Sequence, residues 1–134
     1  MSDSAIRATL EKFWQARVAG DTEAMKALLA PGATYEMVGA DAFADPALVG
    51  PHDMRAAADR LVDAFVFHSR ETRAVLVEGA RAAVVNRFEV STRHGAPVAT
   101  EACDIWEFDS EGRITSMKQF VDTDLVRRML AGET

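Results

Sequence analysis

Apolar residues recur at two different periods along this chain, and the change of period divides it in half. Ile6, Leu10, Phe13, Trp14 and Val18 repeat at helical spacing, which predicts an amphipathic helix over 4–19 ended by Gly20. Asp21 reads as the N-cap of a second, short helix with Met25, Leu28 and Leu29 on its buried face. Pro31-Gly32 breaks that helix, and 33–38 follows as a short strand. From Gly39 to Pro51 the chain reads as loop, with Phe43 and Leu48 as its large apolar groups. A third helix, 52–66, places Met54, Ala57, Ala58, Leu61 and Phe65 on one face.

Beyond that point the period shortens to two. Strands are predicted at 70–78, 81–93, 97–108 and 113–121, joined by turns at Glu78-Gly79-Ala80, His94-Gly95-Ala96 and Asp109-Ser110-Glu111-Gly112. A last helical segment from Asp122 to Ala131 carries Leu125, Val126, Met129 and Leu130. Helices first and a strand meander afterwards is the α+β pattern. The expected architecture is a cone-shaped, curved antiparallel sheet wrapped around three N-terminal helices. Val84, Phe88 and Val90 are assigned to the outer sheet face, where their apolar character implies a homodimer.

With 134 residues, one domain spanning 1–134 is expected. A net charge of −6, with the basic residues scattered, argues against nucleic acid. No apolar run approaches the roughly 20 residues that span a membrane. The start, Met-Ser-Asp-Ser, lacks the features of a secretory signal, and the single cysteine, Cys103, allows no internal disulfide. A cytoplasmic setting follows as the expectation. Three scattered histidines and one cysteine leave little material for a zinc site.

Candidate chemistry centres on Asp104, which shares a strand face with Ala102, Trp106 and Phe108. A carboxyl there is either a pocket acid or base with a raised pKa, or a structural group paired with Arg87 or with backbone N–H groups. Arg87 and Glu89 share one face of their strand and read either as a substrate-orienting pair or as a cross-strand charge network. Asp122 either positions a water or caps the last helix. Tyr35 could donate a hydrogen bond to a ligand. Phe13, Trp14, Met37, Phe65, Phe67, Trp106 and Met117 read as core residues, some of which would line an apolar cavity. His52, His68 and His94 fall at element ends, and Cys103 lies on the face opposite Asp104.

The element order, with the Gly20-Asp21 step, the Ala33-Thr34 strand, the Gly50-Pro51 helix start and the Gly112-Arg-Ile turn, resembles the nuclear-transport-factor-2-like superfamily. The resemblance extends over 4–131, toward its ketosteroid-isomerase-like, limonene-epoxide-hydrolase-like and SnoaL-like branches. It implies a cone-shaped α+β roll with a small-molecule pocket and no cofactor. Against the ketosteroid isomerases, Phe13 and Met37 stand where a tyrosine and the general base belong, and only Asp104 matches, so that activity is not expected. Against the limonene epoxide hydrolases, Asp122 matches the water-activating aspartate and Tyr35 a water-holding tyrosine. Arg87-Phe88-Glu89 stands for their Arg-x-Asp, and Met37 replaces an asparagine. Asp104-Ile-Trp106 with Gly112-Arg-Ile and Asp122 is similar to the SnoaL-like cyclases. The implied function is cofactor-independent acid–base chemistry (isomerisation, epoxide opening or cyclisation) on an apolar small substrate, with Asp104, Arg87, Glu89 and Asp122 as its polar groups. The alternative is a non-catalytic ligand-binding or dimerisation module of the same fold.

Overall fold

A computed structural model describes residues 2–50 and 52–134, so that Pro51 of the Gly50-Pro51 step and Met1 lie outside the described residues. Helix α1 spans Asp3–Ala19. Ser2 caps its start by accepting a hydrogen bond from the Ala5 N–H, and Gly20 ends it at a left-handed φ of 71°, a conformation glycine adopts without strain. Helix α2, Thr22–Lys26, is capped by Asp21, whose carboxylate accepts from the Ala24 N–H at 3.0 Å. It is shorter than the sequence pattern implied. Leu29 is the first residue of strand β1 (Leu29–Met37), which runs through Pro31-Gly32 as an irregularity instead of starting after it.

The predicted loop 39–51 holds a 3₁₀ turn, Ala40–Ala42, and a short helix α3, Pro46–Val49. Strand β2 is His52–Asp53, and helix α4 is Met54–Ala64. Four long strands follow: β3 (Val66–Glu78), β4 (Arg81–Ser91), β5 (Val98–Phe108) and β6 (Ile114–Phe120). Helix α5 covers Thr123–Leu130, with Asp122 as N-cap.

The strands form one curved, unclosed sheet in the order β2-β1-β6-β5-β4-β3. All neighbours are antiparallel except β1 and β6, which run parallel, as they can because the whole helical and meander region connects them. The concave face carries the alternate residues Ala82, Val84, Asn86, Phe88 and Val90 of β4 and Ala102, Asp104, Trp106 and Phe108 of β5, all buried. Over it lie Ile6, Leu10, Phe13 and Trp14 of α1 and Met54, Ala57, Ala58 and Leu61 of α4. Val84, Phe88 and Val90 thus belong to the inner face and the core, not to the outer face assigned above. A one-residue change of parity moves every side chain of a strand to the other side, and β4 has apolar residues on both. No helix among the described residues is long and apolar enough to cross a membrane.

Candidate functional site

The helices do not fill the concave face completely. Between α1, α4, α5 and strands β1, β4, β5 and β6 lies a cavity of about 70 Å³. One buried water needs only about 10–15 Å³. Its wall is overwhelmingly apolar, with Phe13, Met37, Met54, Phe88, Met117 and Met129 among the larger groups. Flexible methionines suit a surface that adapts to an apolar guest. Five polar side chains reach it: Arg17, Tyr35, Thr100, Gln119 and Asp122.

Strand register explains how three polar groups meet. Tyr35 of β1 lies beside Met117 of β6, Met37 beside Gln119, and Gln119 opposite Asp104 of β5. The Tyr35 hydroxyl donates to Gln119 Oε1 at 2.9 Å, and Gln119 Nε2 donates to Asp104 Oδ1 at 3.1 Å. Asp104 itself is 1% exposed and does not line the cavity; Gln119 stands between. Its Oδ2 is buried without a partner. Burial is the main cause that raises its pKa, to about 8, opposed by the hydrogen bond from Gln119. The Trp106 indole N–H also favours the carboxylate, although it makes no hydrogen bond of full geometry. Tyr35 is driven far above the ordinary tyrosine range, first by burial and then by the charge of Asp104. It is a neutral hydroxyl at neutral pH.

Asp122 is exposed and lines the cavity, so the cavity reaches solvent near the start of α5. One of its oxygens accepts the Leu125 N–H at 3.0 Å, which makes it a helix cap as well as a wall residue. Phe13, Tyr35, Met37, Phe65 and Met117 line the cavity, whereas Trp14 and Trp106 do not. The two indoles pack deeper, at 6.4 Å between ring centres, with Phe13 against Trp106 at 4.8 Å.

Arg87 and Glu89 are not brought to the site. Both are exposed on the convex face, where Arg87 stands opposite Glu71 and Glu101. The physical reason is again parity, since Phe88 between them points into the core. Asp104 accordingly has Gln119, not Arg87, as its partner. His52 is half-buried with a pKa lowered by burial, His68 bonds Ser91 at 2.8 Å, and Cys103 lies on the convex side, its thiol pKa raised by burial. No group of three His, Cys, Asp or Glu side chains that could hold a metal occurs among the described residues.

Three polar wall residues, Gln119, Arg17 and Thr100, were missed by reading the sequence. Gln119 shares strand parity with Met117, and Arg17 continues the buried stripe of α1 one turn after Phe13. A polar residue at an apolar position of the pattern was the available signal for Gln119 and Arg17.

A fold with helices laid over a curved six-stranded sheet and a lateral apolar cavity defines a class of small-molecule pocket domains. Residues 10–117 match the SnoaL-like domain, and the chain belongs to that family. No curated protein matches it in sequence. Among solved structures it is similar to an LEH-like epoxide hydrolase of Mycobacterium tuberculosis, with 24% identity, a TM-score of 0.69, and coverage of 96% of this chain and 90% of that one. The epoxide hydrolase/cyclase-like enzyme SalBIII, of pyran ring formation in the polyether salinomycin, has 21% identity and a TM-score of 0.70 over 90% and 92% of the two chains. An NTF2-like protein of Burkholderia pseudomallei K96243 has 18% identity and a TM-score of 0.76 over 97% and 98%. What these share with the chain is the nuclear-transport-factor-2-like fold.

Proposed function

We propose that the chain, as one domain, binds an apolar small molecule in this cavity and acts on it by acid–base chemistry without a cofactor. The reaction is an epoxide opening, an isomerisation or a cyclisation, the types that involve one oxygen and one proton on an otherwise hydrocarbon frame. The observation that carries this reading is an apolar cavity walled on one side by Tyr35 and its hydrogen-bond partner Gln119, which Asp104 holds from outside the cavity. Tyr35 and Gln119 hold the substrate oxygen or a water, and Asp122 is the carboxylate that reaches the same space. Asp104 positions Gln119 from behind. The epoxide hydrolase and cyclase-like neighbours support this class of chemistry by analogy of fold.

The experiment is a mass-spectrometric survey of terpenoid epoxides, β,γ-unsaturated steroid ketones and aromatic polyketides in ¹⁸O water and in D₂O. Turnover places label in a diol or deuterium in an isomerised or cyclised product. Asp122→Asn should then lower the rate by about 10²–10⁴-fold, the usual worth of a positioned acid or base, with ligand affinity retained. Absence of label across the panel, with binding intact, would leave the second reading, a non-catalytic binding module. One observation favours that reading: Asp104 lies outside the cavity and Asp122 is already engaged as a helix cap.

A homodimer through the convex face is part of the same proposal, with residues different from those first assigned. Two adjacent cross-strand rows, Leu76-Ala83-Ile105 and Ala74-Val85-Cys103-Phe120, form an apolar band. Leu76 is 69% and Phe120 43% exposed. The flanking rows, Glu71-Arg87-Glu101 and Glu78-Arg81-Glu107, carry both signs of charge, so the face suits a second copy related by a two-fold axis.

A further inference from the structure

The guanidinium of Arg17 has no role in the reading above. Arg17 stands on α1 one turn after Phe13 and is 6% exposed, yet it lines the cavity. Its Nη2 donates to the carbonyl oxygens of Leu61 and Phe65, at 2.9 and 3.0 Å, where α4 ends. The centre of the Phe67 ring lies 4.4 Å from its guanidinium carbon. Both surroundings favour a cation, since a helix C-terminus bears partial negative charge and an aromatic face attracts guanidinium. Neither is a counter-ion.

No ion pair among the described residues includes Arg17. The titratable group that acts on it is the neutral Tyr35, and burial lowers its pKa to about 10, which leaves it charged at neutral pH. Its hydrogen bonds among the described residues both come from one nitrogen, of the five N–H donors that an arginine carries. A whole positive charge therefore faces an apolar cavity, an arrangement that is costly unless something negative joins it. The same wall is otherwise apolar around it, with Met25, Leu29 and Leu61 among its residues.

We infer that Arg17 receives the anionic group of the ligand, and that the cavity takes apolar molecules carrying a single carboxylate. The carboxylate rests on the free side of the guanidinium as a charge-assisted hydrogen bond, and the hydrocarbon body lies against the methionines and phenylalanines. Arg17 is the cation of this wall, and the carboxylate that also lines the cavity, Asp122, is exposed at the start of α5 and forms no ion pair with it among the described residues. This inference rests on the reading of the cavity as a small-molecule site and names the class of molecule it accepts.

Octanoic, decanoic and perillic acids and their methyl esters, titrated by calorimetry at pH 7.5, provide the test. Each acid should bind wild-type protein at least tenfold more tightly than its ester. Arg17→Lys should keep that preference in part, and Arg17→Met should abolish it while binding the ester as before. Because Arg17 also ties α1 to the end of α4, the methionine variant could fail to fold. The acid-to-ester ratio of the wild type decides the matter without it. Equal affinities, or esters that bind more tightly, overturn the role of Arg17 and leave the cavity standing. If neither acids nor esters bind, and neutral terpenoids and steroids do not either, the cavity reading falls and this inference with it.

Discussion

Replacing Asp104 by asparagine should remove one large pH-dependent contribution to the stability of the fold. Asp104 is buried, and its pKa rises from the ordinary 3.8 to about 8 in the fold. Between those values the unfolded chain has released this proton while the folded chain still holds it. The folded state binds more protons there, so the contribution of this group to stability is greatest below pH 4 and is lost as the pH rises toward 8. The interval is roughly four pH units at about 1.4 kcal/mol each, an upper bound on the order of 5 kcal/mol. Asparagine keeps the shape and the acceptor oxygen for Gln119 Nε2, and it cannot ionise. At pH 4.5 the variant should lie within about 2 kcal/mol of the wild type, the cost of one imperfectly satisfied polar group.

At pH 8.5 the asparagine variant should be the more stable protein, by several kcal/mol relative to that starting point. For a domain of this size each kcal/mol moves the midpoint by roughly 3–5 °C, so the crossing is easily seen. Urea unfolding of both proteins at half-unit steps from pH 4.5 to 8.5 measures the difference with every other titrating group cancelled. A difference that stays constant with pH would show that Asp104 is ionised in the fold, or in contact with water. Either result would remove the buried neutral acid from behind Gln119.

Asp122→Ala should cost about 1 kcal/mol and lower the midpoint by a few degrees, because it removes the cap of α5; scanning calorimetry reads this directly. Gly50→Ala should cost at least about 2 kcal/mol in urea melts, since Gly50 has a φ of 76° and an added Cβ would overlap the Tyr35 carbonyl oxygen. A variant as stable as the parent would place the α3–α4 connection differently. Leu76→Glu combined with Phe120→Glu should yield a monomer by sedimentation at tens of micromolar, with the midpoint of the isolated protomer unchanged apart from the loss of association. A wild type that sediments at 14.6 kDa under the same conditions would contradict the convex-face dimer.

Elements with a single strong period were legible from residues alone. The stripe Ile6, Leu10, Phe13, Trp14 specified α1, and Gly20 specified its end, because left-handed backbone at a helix terminus favours glycine. The β4 parity was not legible. Ala83, Val85, Val84 and Phe88 are apolar on both sides of the strand, and only the helices laid on the concave face decide which set is inner. The error propagated, placing Arg87 and Glu89 at the site and Val84, Phe88 and Val90 at a dimer face. Leu29 joined β1 rather than α2 because pairing with Ile114 outweighs local helix preference. Asp104 was found because a carboxyl within an apolar alternation is conspicuous. Gln119 and Arg17 are equally anomalous within their patterns, yet a glutamine in a strand and an arginine near a helix end read as surface residues until neighbours enclose them.

The central claim is a working apolar cavity, and the most direct measurement is a thermal-shift titration of wild type and Ala102→Phe with steroids, terpenoids and the carboxylic acids above. Ala102 is a small wall residue, and a phenyl ring there would occupy the space a guest needs. The account predicts that at least one compound at 100 times its dissociation constant stabilises the wild type by about 2.7 kcal/mol, several degrees, and leaves the filled variant unmoved. A panel that moves neither protein, or moves both alike, would contradict it.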